Sequence, residues 1–253
     1  MKIESIKKSG FKYKIILDSG DVINTYEEVI INNGLLFHKY ISDTLFEKIN
    51  TDTNYYKSYN KAMNMISRRL RSEKEITEYL KKSEVDDNDI NEIVQNLKRI
   101  GLINDRLFAK AYTNDKINLS SDGPYKIRKY LESNNIKEEY INDALNNIDH
   151  DIINGKIDKI IAKKIKSNTK YTPYILRQKI MNYLVNLGYS REDIMYRLDS
   201  VNIESKDMTK EIEKIYNKLS KKYKGDELVF KLKNKLYSKG YTKKEIDNFI
   251  LKK

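Results

Sequence analysis

Apolar residues in this chain fall into one register that is written four times. Leu80, Leu131, Leu184 and Leu236 anchor it, 51, 53 and 52 residues apart. Four residues before each leucine stand Ile76, Ile127, Ile180 and Leu232, and five after it come Val85, Ile136, Tyr189 and Tyr241. Ten after are Ile90, Ile141, Ile194 and Ile246; fourteen after are Val94, Leu145, Leu198 and Ile250. A period of this length predicts an array of small modules, each too small to bury its apolar face alone and stabilised by its neighbours. Within each copy the first two positions lie one turn apart on a helix face, as do the last two. The residue at +5 falls in the break and can plug the corner between two helices.

The polar residues around these breaks agree. Gly188 and Gly240 stand one residue before the corner tyrosine, where a helix end wants a left-handed residue. Ser190-x-x-Asp193 and Thr242-x-x-Glu245 then read as capping boxes or close variants. The first copy has no glycine in its turn, but Asp86 and Asp87 can cap the helix that carries Ile90 and Val94. A further amphipathic helix is predicted before each pair, on Ala62, Ile66, Leu70; on Leu107, Phe108, Ala111, Tyr112; on Ile157, Ile160, Ile161, Ile165; and on Ile212, Ile215, Tyr216, Leu219. Ser72-x-x-Glu75 caps the next helix in copy one, and Pro124 and Pro173 take first helical positions in copies two and three. The expected unit is thus a three-helix repeat.

Residues 1–58 follow another pattern. Ile15-Ile16-Leu17, a turn at Asp18-Ser19-Gly20, and Val22-Ile23 predict a β-hairpin, with Ile3 and Ile6 candidates for a further strand. Thr25-x-x-Glu28 is read as opening a short helix that Gly34 ends. The expected fold class is mainly α: tandem three-helix repeats forming an elongated curved array, preceded by a small β-hairpin/α region. The expected boundaries are 1–58 for that region and 59–102, 103–150, 151–200 and 201–253 for repeats one to four.

Composition narrows the chemistry. The chain has no cysteine, which removes disulfides and thiolate metal sites. It has no run of 18 apolar residues and no apolar leader stretch, so a soluble cytoplasmic monomer with no membrane contact is expected. Charge is unevenly placed. Residues 1–150 hold 24 Lys/Arg and 24 Asp/Glu, whereas residues 151–253 hold 25 and 13, so the whole net charge of +12 lies in the last two repeats. Dense points are Lys163, Lys164 and Lys166; Lys221, Lys222 and Lys224; and Lys231, Lys233 and Lys235, with Tyr171, Tyr223 and Tyr237 nearby. With Arg177 and Lys179 these lysines are candidate contacts to a polyanion or acidic partner. The bland alternative is a solubilising lysine coat over tyrosines that belong to the core.

Catalytic constellations are missing from the sequence. His38 and His150 are isolated, and Asp86-Asp87-Asn88-Asp89 lacks the glycine and late glutamate of a calcium loop. There is no phosphate-binding glycine loop, nucleophile elbow or dinucleotide fingerprint. The expectation is a binding protein with no cofactor rather than an enzyme.

The stretch from Lys61 to Ile148 resembles the RecX family of bacterial regulators of the RecA recombinase. The resemblance rests on Ala62-x-x-x-Ile66-Ser67-Arg68-Arg69-x-Arg71-Ser72-x-x-Glu75-Ile76-x-x-x-Leu80. It continues in Gly101-Leu102-Ile103-Asn104-Asp105-x-x-Phe108-Ala109-x-x-Tyr112, then in Gly123-Pro124-x-x-Ile127-x-x-x-Leu131 and Ile136. The resemblance implies rows of three-helix repeats that lodge in the groove of a RecA filament on single- or double-stranded DNA. There they oppose filament assembly, ATP hydrolysis and strand exchange, a role in homologous recombination, DNA repair and the SOS response. This chain departs from the short family pattern in its N-terminal region and fourth repeat, and in having Asn104 where the family tends to have an acid. Arg68, Arg69 and Arg71 allow two readings: contacts to filament or phosphate, or cations that end a helix and pair with Glu73 or Glu75. The alternative function is a stand-alone basic helical DNA-binding protein, although none of the four third helices offers a persuasive recognition face.

Overall fold

A computed structural model of the chain describes residues 1–168, 171–203 and 209–251. Residues 169–170, in the expected third repeat, and 204–208 and 252–253, in the expected fourth, lie outside the described residues. The chain divides into two compact units, one of residues 1–111 with 133–140 and one of residues 112–132 with 141–253.

The first unit opens with an antiparallel sheet in the order β1 (Ile3–Ser9), β2 (Lys12–Leu17), β3 (Val22–Thr25). The expected hairpin is present, and Ile3 and Ile6 do lie on a third strand. Strand alternation sends Ile15 and Leu17 to one face, where they are buried with Val29, Ile30, Leu35, Ile41 and Ile49. Helix α1 (Glu27–Asn32) begins one residue later than expected, after Tyr26, with no side-chain cap. Thr25 does not cap it. Its hydroxyl is buried and lies 2.6 Å from that of Thr53 on α2 (Asp43–Ile66). Helix α2 runs unbroken through position 58 and serves two cores, Ile49 in the sheet unit and Ala62 in the first triplet. Leu70 lies beyond its end and is exposed.

In the first triplet, α2 is followed by α3 (Glu73–Lys82) and α4 (Asp87–Arg99). Ser72 and Glu75 form a complete capping box on α3, and Asp86 caps α4 through Asn88 N–H at 2.8 Å. Caps of this kind stabilise by about 1 kcal/mol each. The rest of the chain repeats the plan with α5 (Asp105–Leu119), α6 (Pro124–Ser133) and α7 (Glu138–Asn146), then α8 (His150–Lys166), α9 (Pro173–Leu187) and α10 (Arg191–Asp199). The last triplet is α11 (Thr209–Ser220), α12 (Gly225–Tyr237) and α13 (Lys243–Ile250). The third and fourth triplets each have their own apolar core.

The four anchor leucines are all fully buried. Of the twenty register positions, only Val85, Leu145 and Ile250 are half-buried; the others are buried. The residue four after each leucine is left-handed in every copy: Glu84 and Asn135 at φ 58°, Gly188 at 91° and Gly240 at 85°. In three copies the corner residue N–H then donates to the anchor leucine carbonyl, Val85 to Leu80, Tyr189 to Leu184 and Tyr241 to Leu236. The corner is one backbone device, written with glycine in only two of its four appearances.

Neighbouring triplets meet by a second recurring device. The start of each second helix sits on the helix turn of the following copy. Ser72 Oγ donates to Asn134 Oδ1 at 3.0 Å, and Lys74 Nζ to the Ser133 carbonyl at 2.7 Å. Gly123 N–H donates to Leu187 O at 2.7 Å, and Tyr125 N–H to Gly188 O at 2.9 Å. Thr172 Oγ1 donates to Lys239 O at 3.1 Å. A Cβ on Gly123 would lie 2.6 Å from the Gly188 backbone, so the close approach requires glycine there.

Candidate nucleic-acid and partner interface

The third triplet carries a basic, tyrosine-lined cleft on the second unit. Helix α9 buries Leu176, Ile180 and Leu184 along one stripe. Next to that stripe, Lys179, Asn182, Tyr183 and Asn186 follow the i, i+3, i+4, i+7 spacing of a single helix face. Opposite them, the last turn of α8 supplies Lys164 and Ser167, and the segment beyond it Asn168 and Tyr171. Together these side chains line an open cleft of about 560 Å³, floored by Leu176 and Ile180. Lys164 Nζ lies 3.8 Å from the centre of the Tyr183 ring, and Lys179 Nζ lies 4.6 Å from that of Tyr171. A ring face attracts an ammonium through its quadrupole, worth about 0.5–1 kcal/mol at an exposed site. The contacts bias the two lysines toward the cleft. Asn168 is occupied by a local turn, accepting from Tyr171 N–H and donating to its carbonyl. Arg197 of α10 pairs with Asp158 of α8, which fixes the helix that carries Lys164.

Basic side chains, amide groups and accessible aromatic rings in one groove suit a phosphodiester chain with unpaired bases. Asn182, Tyr183 and Asn186 were not among the sequence candidates. Their spacing with Lys179 carries the signal, but on a second helix, whereas a helix-turn-helix recognition face belongs to a third helix.

The other sequence candidates sort by their partners. Arg69 forms a two-pronged pair with Glu75, at 2.6 and 3.1 Å, and also donates to the Leu70 carbonyl. Arg71 donates to Met65 O at 3.3 Å and lies 3.8 Å from Glu75. Both guanidiniums therefore brace the capping box of α3. Arg68 is exposed and has no side-chain partner among the described residues. Arg177 closes the end of α10, donating to Leu198 O at 2.7 Å and Asp199 at 3.1 Å. Lys233 pairs with Asp247 at 3.3 Å.

Lys163 and Lys166 are exposed on the last turn of α8, where cations also complement the helix dipole. Lys221 extends a basic stripe of Lys210, Lys214 and Lys218 on α11 around a shallow depression that also contains Glu213. Lys222, Lys224, Lys231 and Lys235 are exposed, and Lys231 sits 5.7 Å from the centre of the Tyr223 ring. Lys163, Lys164, Lys166, Lys179, Lys221, Lys222, Lys224, Lys231 and Lys235 have no acidic partner among the described residues.

Corner tyrosines Tyr189 and Tyr241 are buried, and burial pushes both phenols up to about 12, so neither serves as a proton donor near neutrality. Asp105 has a structural task, accepting from Glu73 N–H at 2.9 Å at the start of α3; burial raises its carboxyl above the usual range. A second hollow, of about 700 Å³, holds Arg128, His150 and Asp193 beside Tyr189. Among the described residues no three His, Cys, Asp or Glu side chains are placed to hold a metal ion. No helix among them is long and apolar enough to cross a membrane.

Two family descriptions match this chain: the first three-helix domain of RecX over residues 59–97, and the second over residues 104–145. Regulatory protein RecX of Streptococcus pneumoniae serotype 19F (strain G54) is 31% identical over 95% of both chains. That of strain Hungary19A-6 is 30% identical with the same coverage. A crystal structure of regulatory protein RecX superposes with a TM-score of 0.64 at 25% identity, covering 79% of this chain and 99% of that one. A crystal structure of RecX from Lactobacillus salivarius gives 0.52 at 27% identity, covering 58% and 98%.

Proposed function

The chain belongs to the RecX family, and we propose that it binds RecA recombinase filaments on DNA and restrains their assembly, ATP hydrolysis and strand exchange. The observation that carries this reading is the match to regulatory protein RecX over 95% of both chains, which takes in all four triplets and the N-terminal sheet. The physical surface supports it. Tandem triplets, each joined to the next by the same contact, offer repeated surfaces to a partner that is itself repetitive. Unpaired lysines on the last two triplets favour a DNA-bound partner over free protein, because each phosphate neutralised releases counterions. The protein acts in this reading by occupancy, as a cytoplasmic monomer without chemistry of its own.

The test is a titration of the purified chain into preformed recombinase filaments on single-stranded DNA. DNA-dependent ATP hydrolysis is expected to fall with increasing protein, and the protein to sediment with the filaments. Unchanged hydrolysis together with no co-sedimentation overturns the proposal. The polar face of α9 gives one argument for a second reading, direct DNA binding without recombinase. Protection of a defined duplex sequence by the protein alone would favour it.

A further inference from the structure

The N-terminal sheet buries one face and leaves the other with a composition that the fold does not require. Strand pairing sets Lys7 against Lys14 and Ser9 against Lys12, with Asn24 opposite Lys14 on the third strand. These positions alternate with the buried Ile15 and Leu17, so they share the outward face. Between Ser5 and Leu17 there are four lysines, Lys7, Lys8, Lys12 and Lys14, and no acidic residue. All four are exposed. Like charges directly opposite on a strand pair oppose each other and weaken the pairing, so Lys7 against Lys14 is a cost to the isolated sheet. Among the described residues Lys7, Lys12 and Lys14 have no acidic partner, and Lys8 lies 3.8 Å from Glu27.

The turn between β1 and β2 adds an independent feature. It consists of Gly10 and Phe11, with Gly10 at φ 63°. Glycine at the first central position suits a tight hairpin, but the second position ordinarily takes a small or polar residue. Phe11 is 99% exposed. A phenylalanine carried at a hairpin tip contributes nothing to this core and presents a ring face to solvent. Three lysines without an acidic partner among the described residues, next to an unburied ring, match what a single-stranded nucleic acid offers: a phosphate every nucleotide and bases free to stack.

We propose that the outer face of the N-terminal sheet is a binding site for single-stranded nucleic acid, with Lys7, Lys12 and Lys14 on phosphates and Phe11 stacked on an unpaired base. The site is separate from the α8–α9 cleft and its binding requires no recombinase. Duplex DNA keeps its bases stacked internally, so it would engage the lysines and not the ring.

The experiment uses the full chain, a fluorescent mixed-sequence single-stranded oligonucleotide and the matching duplex, read by anisotropy across a salt series. Lys7→Gln, Lys12→Gln and Lys14→Gln together are expected to reduce the salt slope for the single strand by about 2, at roughly 0.7 per phosphate contact. Phe11→Ala is expected to leave the slope unchanged and weaken single-strand affinity by about fivefold or more, a typical loss of one stacked base, with duplex affinity retained. Both sets lie on exposed positions, and a circular dichroism melt verifies that they fold. Unaltered single-strand binding in both variants overturns the proposal, as does an equal loss of duplex affinity in Phe11→Ala. Wild-type binding to polyglutamate that the triple lysine variant loses, without any change toward the oligonucleotide, would assign the face to an acidic protein instead. Failure here leaves the recombinase titration untouched, because that reading does not depend on this face.

Discussion

At the residue scale, the corner between second and third helices shows how a backbone requirement can outlast the residue that usually meets it. All four copies turn left-handed at the same register position, but only Gly188 and Gly240 do so without a Cβ. A side chain at positive φ costs about 1–2 kcal/mol, less for asparagine, which tolerates that region. Glycine recovers this cost and loses some of it again to the greater freedom of the unfolded chain. Glu84→Gly is therefore expected to stabilise by about 0.5–1 kcal/mol, raising Tm by roughly 2 °C for a chain of this size, and Asn135→Gly by less. Thermal denaturation followed by circular dichroism decides it; a lower Tm for Glu84→Gly would mean that the left-handed corner is not shared by the first copy. From sequence this copy carried only a weak turn, because φ is imposed by the corner contact and leaves no mark on residue type.

Elements follow the same logic. Apolar spacing located every second and third helix because burial of the leucine register is decided locally, by helix periodicity. What spacing alone could not see was where chain segments outside the register go. The offset of Thr25 to Glu28 predicts a helix cap, but Thr25 is buried and its hydroxyl pairs with that of the half-buried Thr53 instead. Helix α2 continues across the expected limit at 58 since Ile49 and Ala62 lie on one amphipathic helix feeding two cores. The contact between triplets was likewise invisible, as its hydrogen bonds join backbone groups far apart in sequence. It can be tested with two glycines in different surroundings. Gly123→Ala places a methyl 2.6 Å from the Gly188 backbone and displaces the bonds to Leu187 and Gly188. A loss of about 2–4 kcal/mol is expected, in the range of overpacking plus broken buried hydrogen bonds. Gly155→Ala, inside α8 with open space around it, should instead gain up to about 1 kcal/mol from helix propensity. Urea denaturation of the two variants would show opposite signs; matching signs would remove the contact as the joint between these triplets.

For the whole molecule, charge was legible as an amount and not as an availability. The sequence showed that the excess of lysine and arginine lies after residue 150. It did not show which cations are engaged, because pairing depends on helices returning to one another: Arg177 meets Asp199, and Lys233 meets Asp247. Lys164 and Lys179 are different in kind. They face one cleft on tyrosine rings and have no acidic partner among the described residues. If the excess charge serves a nucleic acid, its effect must follow availability and not mere presence. Lys164→Gln with Lys179→Gln should lower the salt slope of single-strand binding by about 1.4, two contacts at roughly 0.7 each. Reversal of Lys221, Lys222 and Lys224 should lower both slope and affinity. Arg69→Gln, whose guanidinium is already held by Glu75, should leave the slope unchanged and reduce stability by about 1 kcal/mol through the loosened capping box. A slope that fell in all three variants in proportion to the charge each removes, Arg69→Gln included, would mean that binding reads net charge alone. The cleft would then be no more than part of a solvated basic surface.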